Sequence, residues 1–369
     1  MRQLLNGLCL LLLLATPIHT KANSIDTKSC TTVVCRLAGL ELPLSAPADD
    51  AHLKRKIAEY LNHGPRSTER LLGRASAYFP VFEFYLDKHG MPSGLKYLAV
   101  AESMLVPGAV SSARAAGLWQ LMPATAREMG LRVDRVVDER LDIYRSTEAA
   151  VLMLKGLYAQ FGDWHLALAA YNCGPGRVRR AVRSAGGYTN YAKVRRFLPR
   201  ETQNYVAAYV AAAYALTFYD DYGLTPAASS LDLAGIRTLT VYRQVSLRKL
   251  AQHTGLDYRV LRGLNPKFTA GYVPGSRRGL ELRVPIEASY EVRRYIWGKD
   301  NLVELPADGA VAEAYLTARS EMFDPLSFLL GIRKESLRYY SPSVGMVAAV
   351  DRFTVSQFGE VADGALALN

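Results

Sequence analysis

A single acid, Glu102, stands inside an apolar stretch, with Ala99, Val100 and Ala101 before it and Met104 and Leu105 after it. Burial against such a wall disfavours the charged carboxylate and raises its pKa, which makes a glutamate a proton donor near neutral pH. Cleaving a glycosidic bond requires that donor. By composition alone the same spacing suits even better an exposed glutamate on the polar face of an amphipathic helix. Three further stretches shift the balance. "AAGLWQLMPATA" sets Trp119, Gln120 and Met122 just before a helix, an apolar platform beside an amide. "ALAAYNCGPGRV" puts Tyr171 and Asn172 at the end of an alanine-rich helix, where Gly174, Pro175 and Gly176 turn the chain. "LPRETQNYVAAYV" opens a helix with Glu201 and presents Tyr205. Each ring alone reads as core. Together, aromatic faces and amides fit a carbohydrate cleft, where sugar rings stack and hydroxyl or N-acetyl groups need directed hydrogen bonds.

These residues need helices to hold them, and the pattern from Asp49 to about Tyr222 is helical. Pro92 and Ser93 precede "GLKYLAVAESML", Pro123 suits a first helical turn, and Gly162 and Gly223 end later segments. One helical domain over 51–226 follows, preceded at 23–50 by a linker or N-terminal cap. Residues 1–22 read as a signal peptide: Arg2, an apolar run from Leu8 to Ala15 too short to span a bilayer, and cleavage near Ala22. A periplasmic or extracellular protein is expected. Nucleic acid is then a poor partner, although 45 Lys and Arg against 34 Asp and Glu leave a net charge of +11. Residues 234–300 carry 13 basic and 5 acidic side chains, whereas 301–369 carry 5 and 9. The basic module suits either an anionic polymer or a plain solvated face. It reads as a strand (239–241), two helices (247–252 and 258–264), a turn at Asn265 and Pro266, and a strand (280–284). Cys30 and Cys35 can close a small loop in an oxidising compartment, leaving Cys173 free. The six histidines are scattered, so neither a metal site nor a cofactor is expected. With no coiled-coil repeat, a monomer is expected.

The blocks "GLKYLAVAES", "GLWQLMPATA", "DERLDIYRSTEAA", "FGDWHLALAAYNCGPGRV" and "LPRETQNYV" resemble the lysozyme-like lytic transglycosylases, within them the membrane-bound murein transglycosylase D group, from about Pro92 to Tyr222. The resemblance implies a catalytic acid at Glu102 with Ser103 beside it. Substrate-side groups fall at Ser111, Gln120, Met122, Tyr171, Asn172 and Tyr205, and Glu201 is added from its place at the helix start. It implies cleavage of the β-1,4 bond between N-acetylmuramic acid and N-acetylglucosamine with a 1,6-anhydro product. The partner is the peptidoglycan glycan strand, with peripheral contact to the outer membrane and no cofactor. Where the family commonly reads S-x-x-G-A-x-G, this chain has Arg114 for the glycine; if that position needs a positive φ, the cost is about 1 kcal/mol. Residues 234–290 resemble a divergent LysM, the Gly-Asp of its first turn replaced near Arg243 and Gln244, and "FDPLSFLLGIRKESLRYYSP" within the otherwise unassigned 291–369 is a candidate for a decayed second copy. The expected fold is mainly α: a lysozyme-like helical domain, a small α+β LysM-like module and an unassigned C-terminal region. Two rivals stay open. A hydrolase on the same fold would want a second acid, with Asp134, Asp138 and Asp142 as candidates, or a well-held water, and the other rival is a non-catalytic wall-binding or assembly protein.

Overall fold

The computed structural model describes residues 32–46, 50–228, 233 and 235–297, together with backbone strands at 332–341, 345–355 and 359–366. The signal peptide expected at 1–22 and Cys30 lie outside the described residues, while Cys35 is disulfide-bonded and Cys173 is free. Among the described residues, no helix is long and apolar enough to cross a membrane.

Among the described residues ten α-helices precede the module: α1 (Val33–Ala38), α2 (Ala51–Ala58), α3 (Pro65–Lys88), α4 (Tyr97–Ser103), α5 (Pro123–Glu128), α6 (Ile143–Phe161), α7 (Trp164–Cys173), α8 (Pro175–Ser184), α9 (Tyr191–Val194) and α10 (Arg200–Thr217). Carboxylates start several of them. Asp50, Asp142 and Asp163 accept the first backbone N–H groups of α2, α6 and α7, which would otherwise lack partners. Pro123 occupies the first turn of α5, and Gly162 ends α6 in the left-handed region. The core forms around α10, buried almost without interruption from Tyr205 to Leu216 and packed on α2, α4 and α7. Residues 32–46 lie on this core: Leu37 is buried, and Arg36 pairs with Asp221 at 2.9 Å.

The segment carrying Glu102 departs from the helical pattern of its sequence. That pattern runs on through Leu105, yet α4 stops at Ser103 because Met104 and Leu105 take φ of 52° and 56°. The Arg74 guanidinium reaches from α3 to donate two hydrogen bonds, 3.1 and 2.9 Å, to the Met104 carbonyl. Glu102 therefore sits in the last turn of a short helix whose end is held by a partly buried cation.

The module consists of β1 (Ile236–Val241), β2 (Val245–Ser246), α11 (Leu247–Thr254), α12 (Tyr258–Leu264), β3 (Tyr272–Val273), β4 (Leu280–Pro285) and α13 (Ser289–Trp297). β1 and β4 pair antiparallel with Leu239 opposite Leu282, as the expected order requires, and β2 pairs with β3. The helix α13, which the sequence pattern does not announce, closes the open side with Val292 and Ile296. Farther on, β5 (Ile332–Ser341), β6 (Gly345–Val355) and β7 (Gly359–Leu366) form an antiparallel meander.

The module is joined to the helical domain through a shared core. Val137, which belongs to the helical domain by sequence, is 1% exposed within the module's apolar cluster and bridges to Phe268. Backbone hydrogen bonds flank it: Asp138 N–H donates to the Lys267 carbonyl and Thr269 N–H to the Val136 carbonyl. Beside them Asp142 has no side-chain exposure, and its Oδ2 accepts from Lys267 Nζ and Arg283 Nη1, each at 2.7 Å. Its other oxygen caps α6, and the Arg283 guanidinium lies over the Tyr144 ring. Two cations of the basic module are thus engaged internally rather than offered to solvent.

Candidate active site

Glu102 is half-buried, and its Oε1 accepts a short hydrogen bond from the Tyr205 hydroxyl. Burial raises its pKa, the Tyr205 hydrogen bond opposes that, and the nearby charge of Glu201 adds to it, leaving the carboxyl pushed up to about 7. Burial, and after it the Glu102 charge, pushes the Tyr171 and Tyr205 hydroxyls well above their ordinary value, so both stay neutral donors. No cation pairs with Glu102 among the described residues. The exposed-face alternative fails here, because α4 turns Glu102 towards α10 and not towards open solvent.

The surrounding groups are tied into a frame. The Tyr171 hydroxyl donates to the Trp119 carbonyl at 2.7 Å, and the Thr202 hydroxyl donates to Asn172 Oδ1 at 2.7 Å, joining the end of α7 to the first turn of α10. Gln120, at φ 46°, donates its amide N–H groups to the Ala109 and Gly117 carbonyls, 3.1 and 2.9 Å away. Met122 is 44% exposed and supplies apolar surface at the start of α5. Glu201 is exposed in the first turn of α10.

Trp119, read from its residue type as part of an apolar platform, and Ser103 and Ser111, which the resemblance puts at the site, are each tied into the fold. Trp119 is no sugar platform: it is fully buried, packs at a tilt on Phe82 with centroids 4.9 Å apart, and donates its indole N–H to Thr147. Ser103 is buried, its hydroxyl directed to the Ala99 and Leu118 carbonyls, so it fastens the loop to α4. Ser111 accepts the Ala115 N–H and builds the tight turn that contains Arg114. In that turn Arg114 does adopt a positive φ, 66°, so the missing glycine is a strained position.

Nothing local in the chain marks Arg140 as part of the site. It is buried, paired with both oxygens of Asp138, and its Nη1 donates to the carbonyls of Arg114 and Leu121, the two ends of the loop that carries Gln120. Gly117 of the same loop sits so close to the Arg140 carbonyl that an added Cβ would lie 2.0 Å from its oxygen. A chain of contacts therefore runs from the module, through Asp138 and Arg140, to the cleft loop. Asp134, Asp138 and Asp142 are all engaged in this outer region, with Arg132, Arg140, and Lys267 with Arg283 respectively, and none bonds to Glu102. Among the described residues no cluster of three His, Cys, Asp or Glu side chains is arranged to hold a metal.

Comparison with known proteins agrees with both parts of the chain. Residues 81–193 match the family model for the transglycosylase SLT domain, and 235–295 match the LysM-like domain of lytic transglycosylase MltD. The membrane-bound lytic murein transglycosylase D of Escherichia coli K12 is 34% identical over 245 residues, 65% of this chain and 52% of that protein. Peptidoglycan transglycosylase gp16 of Escherichia phage T7 is 30% identical over 250 residues, 64% of this chain and 18% of the phage protein. Among solved structures, the 70 kDa soluble lytic transglycosylase of Escherichia coli aligns at 28% identity with a TM-score of 0.34, covering 42% of this chain and 26% of that one. The chain spans about half the length of the first of these relatives. In chain order, the match to the SLT domain is followed by the match to the LysM-like domain.

Proposed function

We propose that the chain is a lytic transglycosylase that cleaves peptidoglycan between N-acetylmuramic acid and N-acetylglucosamine and leaves a 1,6-anhydromuramoyl end. The observation that carries this reading is the setting of Glu102: half-buried in the last turn of α4, with one tyrosine hydroxyl on Oε1 and no cationic partner among the described residues, so that burial pushes its pKa up to about 7. At neutral pH a large fraction of it is protonated, as a general acid requires. With Oε1 occupied by Tyr205, Oε2 is the oxygen free to carry the proton to the leaving glycosidic oxygen.

As the C1–O bond breaks, the N-acetyl carbonyl of the muramoyl residue shares the developing charge at C1, which lets one carboxylate serve where most glycosidases use two. Glu102, now charged and stabilised by the Tyr205 O–H, takes the proton from the muramoyl C6 hydroxyl while O6 closes on C1. The proton returns to Glu102 and no water is consumed. In this reading Asn172 and Gln120 orient the sugar's amide and hydroxyl groups, and Met122 meets a ring face. A wall-facing compartment reached through the signal peptide, at the outer membrane's inner surface, fits this substrate.

Mass spectrometry of the soluble products from intact peptidoglycan tests the reading, with Glu102→Gln run in parallel. Products one water lighter than the reducing sugar, absent with Glu102→Gln, are expected. Reducing-end products would move the chain to a hydrolase. Binding without products would leave the cleft as a recognition site only.

A further inference from the structure

Between Asp163 and Glu201 the chain has eight Lys and Arg residues and no acid. Arg177, Arg179, Arg180 and Arg183 on α8, Lys193 on α9 and Arg196 in the turn that follows are all exposed. Each lacks an ion pair among the described residues, although weaker surface pairs occur elsewhere on the molecule. The elements packed on α8 are α7, α9 and the turn Arg195–Phe197, and none of them carries an acid. Like charges three and four positions apart on α8 repel one another, so this face is self-repelling until an anion meets it.

The segment that carries this face joins the frame around Glu102 at both ends. The chain leaves α7 two residues after Asn172 and returns into α10 two residues before Thr202, and the Asn172–Thr202 hydrogen bond draws those two points together. We propose that this cationic face binds carboxylates carried along the substrate strand as it passes out of the cleft. The inference rests on the transglycosylase reading, in which those carboxylates belong to the stem peptides of peptidoglycan.

A lipid surface fits less well. The apolar side of α8 is already used, with Val178 unexposed and Ala181 3% exposed in the protein core, so α8 has no greasy face left for a bilayer. The two exposed rings nearby are covered by cations: Lys193 Nζ lies 3.6 Å from the Tyr188 centroid and Arg196 lies 4.8 Å from that of Phe197. Charge, with little free apolar surface, is what this face presents.

The test uses the full protein carrying Glu102→Gln, so that substrate is not consumed, and measures co-sedimentation with insoluble peptidoglycan at low and high salt. The same background with R179E/R180E/R183E is expected to bind about tenfold more weakly at low salt, the difference closing as salt screens it. R179Q/R180Q/R183Q should fall between the two, and its thermal midpoint reports on folding. Glycan stripped of its stem peptides should bind the parent no better than intact peptidoglycan binds the reversed-charge variant. Equal binding by parent and variant, or undiminished binding of the stripped glycan, overturns the proposal. So does a variant that loses binding to phosphatidylglycerol vesicles alone. Product release by the unmutated protein is read separately: no anhydro products with a charge-dependent binding difference would overturn the enzyme reading and leave the face.

Discussion

Glu102 in the cleft and Asp142 at the junction with the module are both carboxylates withdrawn from water, and their surroundings drive them in opposite directions. Around Glu102 the burial penalty is met by one neutral hydroxyl, and the pKa settles near 7. Around Asp142 burial would also push the pKa up, but the charges and hydrogen bonds of Arg283 and Lys267 override it and hold the carboxyl well below the usual range. One group keeps a proton available for transfer. The other stays charged wherever the protein functions. What separates the proposed proton donor from a structural carboxyl in this molecule is the charge buried with it, rather than the depth of burial.

Asp142→Ala attacks the structural side and should have the largest effect. It strands two buried cations and removes the α6 cap, costing about 3–5 kcal/mol in urea denaturation. A triple Met replacement of Asp142, Lys267 and Arg283 should recover most of that loss; if it does not, the junction depends on more than paired charge. Because the folded pKa of Asp142 is depressed, its contribution is present above the unfolded value and lost as pH falls towards the folded one. The penalty of Asp142→Ala should therefore shrink once the pH drops below about 4.

Glu102→Gln probes the other side, with the sign reversed. A raised folded pKa means that the native state is not destabilised by this group below pH 4.5 and is progressively more so as pH rises to about 7. Glu102→Gln should thus be more stable than the parent at pH 8, by about 3 kcal/mol, and equally stable at pH 4. A difference independent of pH in the thermal unfolding of the two proteins would contradict the assignment of burial as the cause. Tyr205→Phe removes the one interaction that lowers the Glu102 pKa, so the alkaline limb of the pH–rate profile should move to higher pH. Arg114→Gly, on the loop between the two regions, should give the smallest change: a gain of up to about 1 kcal/mol in thermal unfolding.

Features encoded over short sequence distances are legible in the chain. Pro123 marks the start of α5 and Gly162 the end of α6, the helical period of α6 and α10 is readable although α6 starts four residues earlier and α10 stops six residues before Gly223, and Glu102 stands out as the lone acid in its stretch. Tyr205 and Asn172 are legible for the same reason, each lying at the end or start of a readable helix. The junction is not, because Asp142 meets Lys267 and Arg283 across 125 and 141 residues and nothing local marks an aspartate as bound for a buried triad. Trp119 misleads because a side chain's type does not say which way it points. The loop of Gln120 turns its tryptophan inward and uses Ser111 for its own turn, while Ser103 ties it to α4. The charge sum over 234–300 also points away from α8, where fewer cations stand entirely unopposed.

Val137 lies in the apolar cluster of the module although about a hundred residues of helical domain separate it from β1 in sequence. The border between the two parts in space does not coincide with any point at which the chain can be cut. Ending the chain after α10 would uncover Val137, strip Asp142 of both its cations and loosen the Asp138–Arg140 anchor. Grafting the module onto an unrelated protein would leave Phe268 and Lys267 facing a surface with nothing to receive them. Heredity by shuffling whole domains requires pieces that come apart cleanly, and this pair is built to be inherited together.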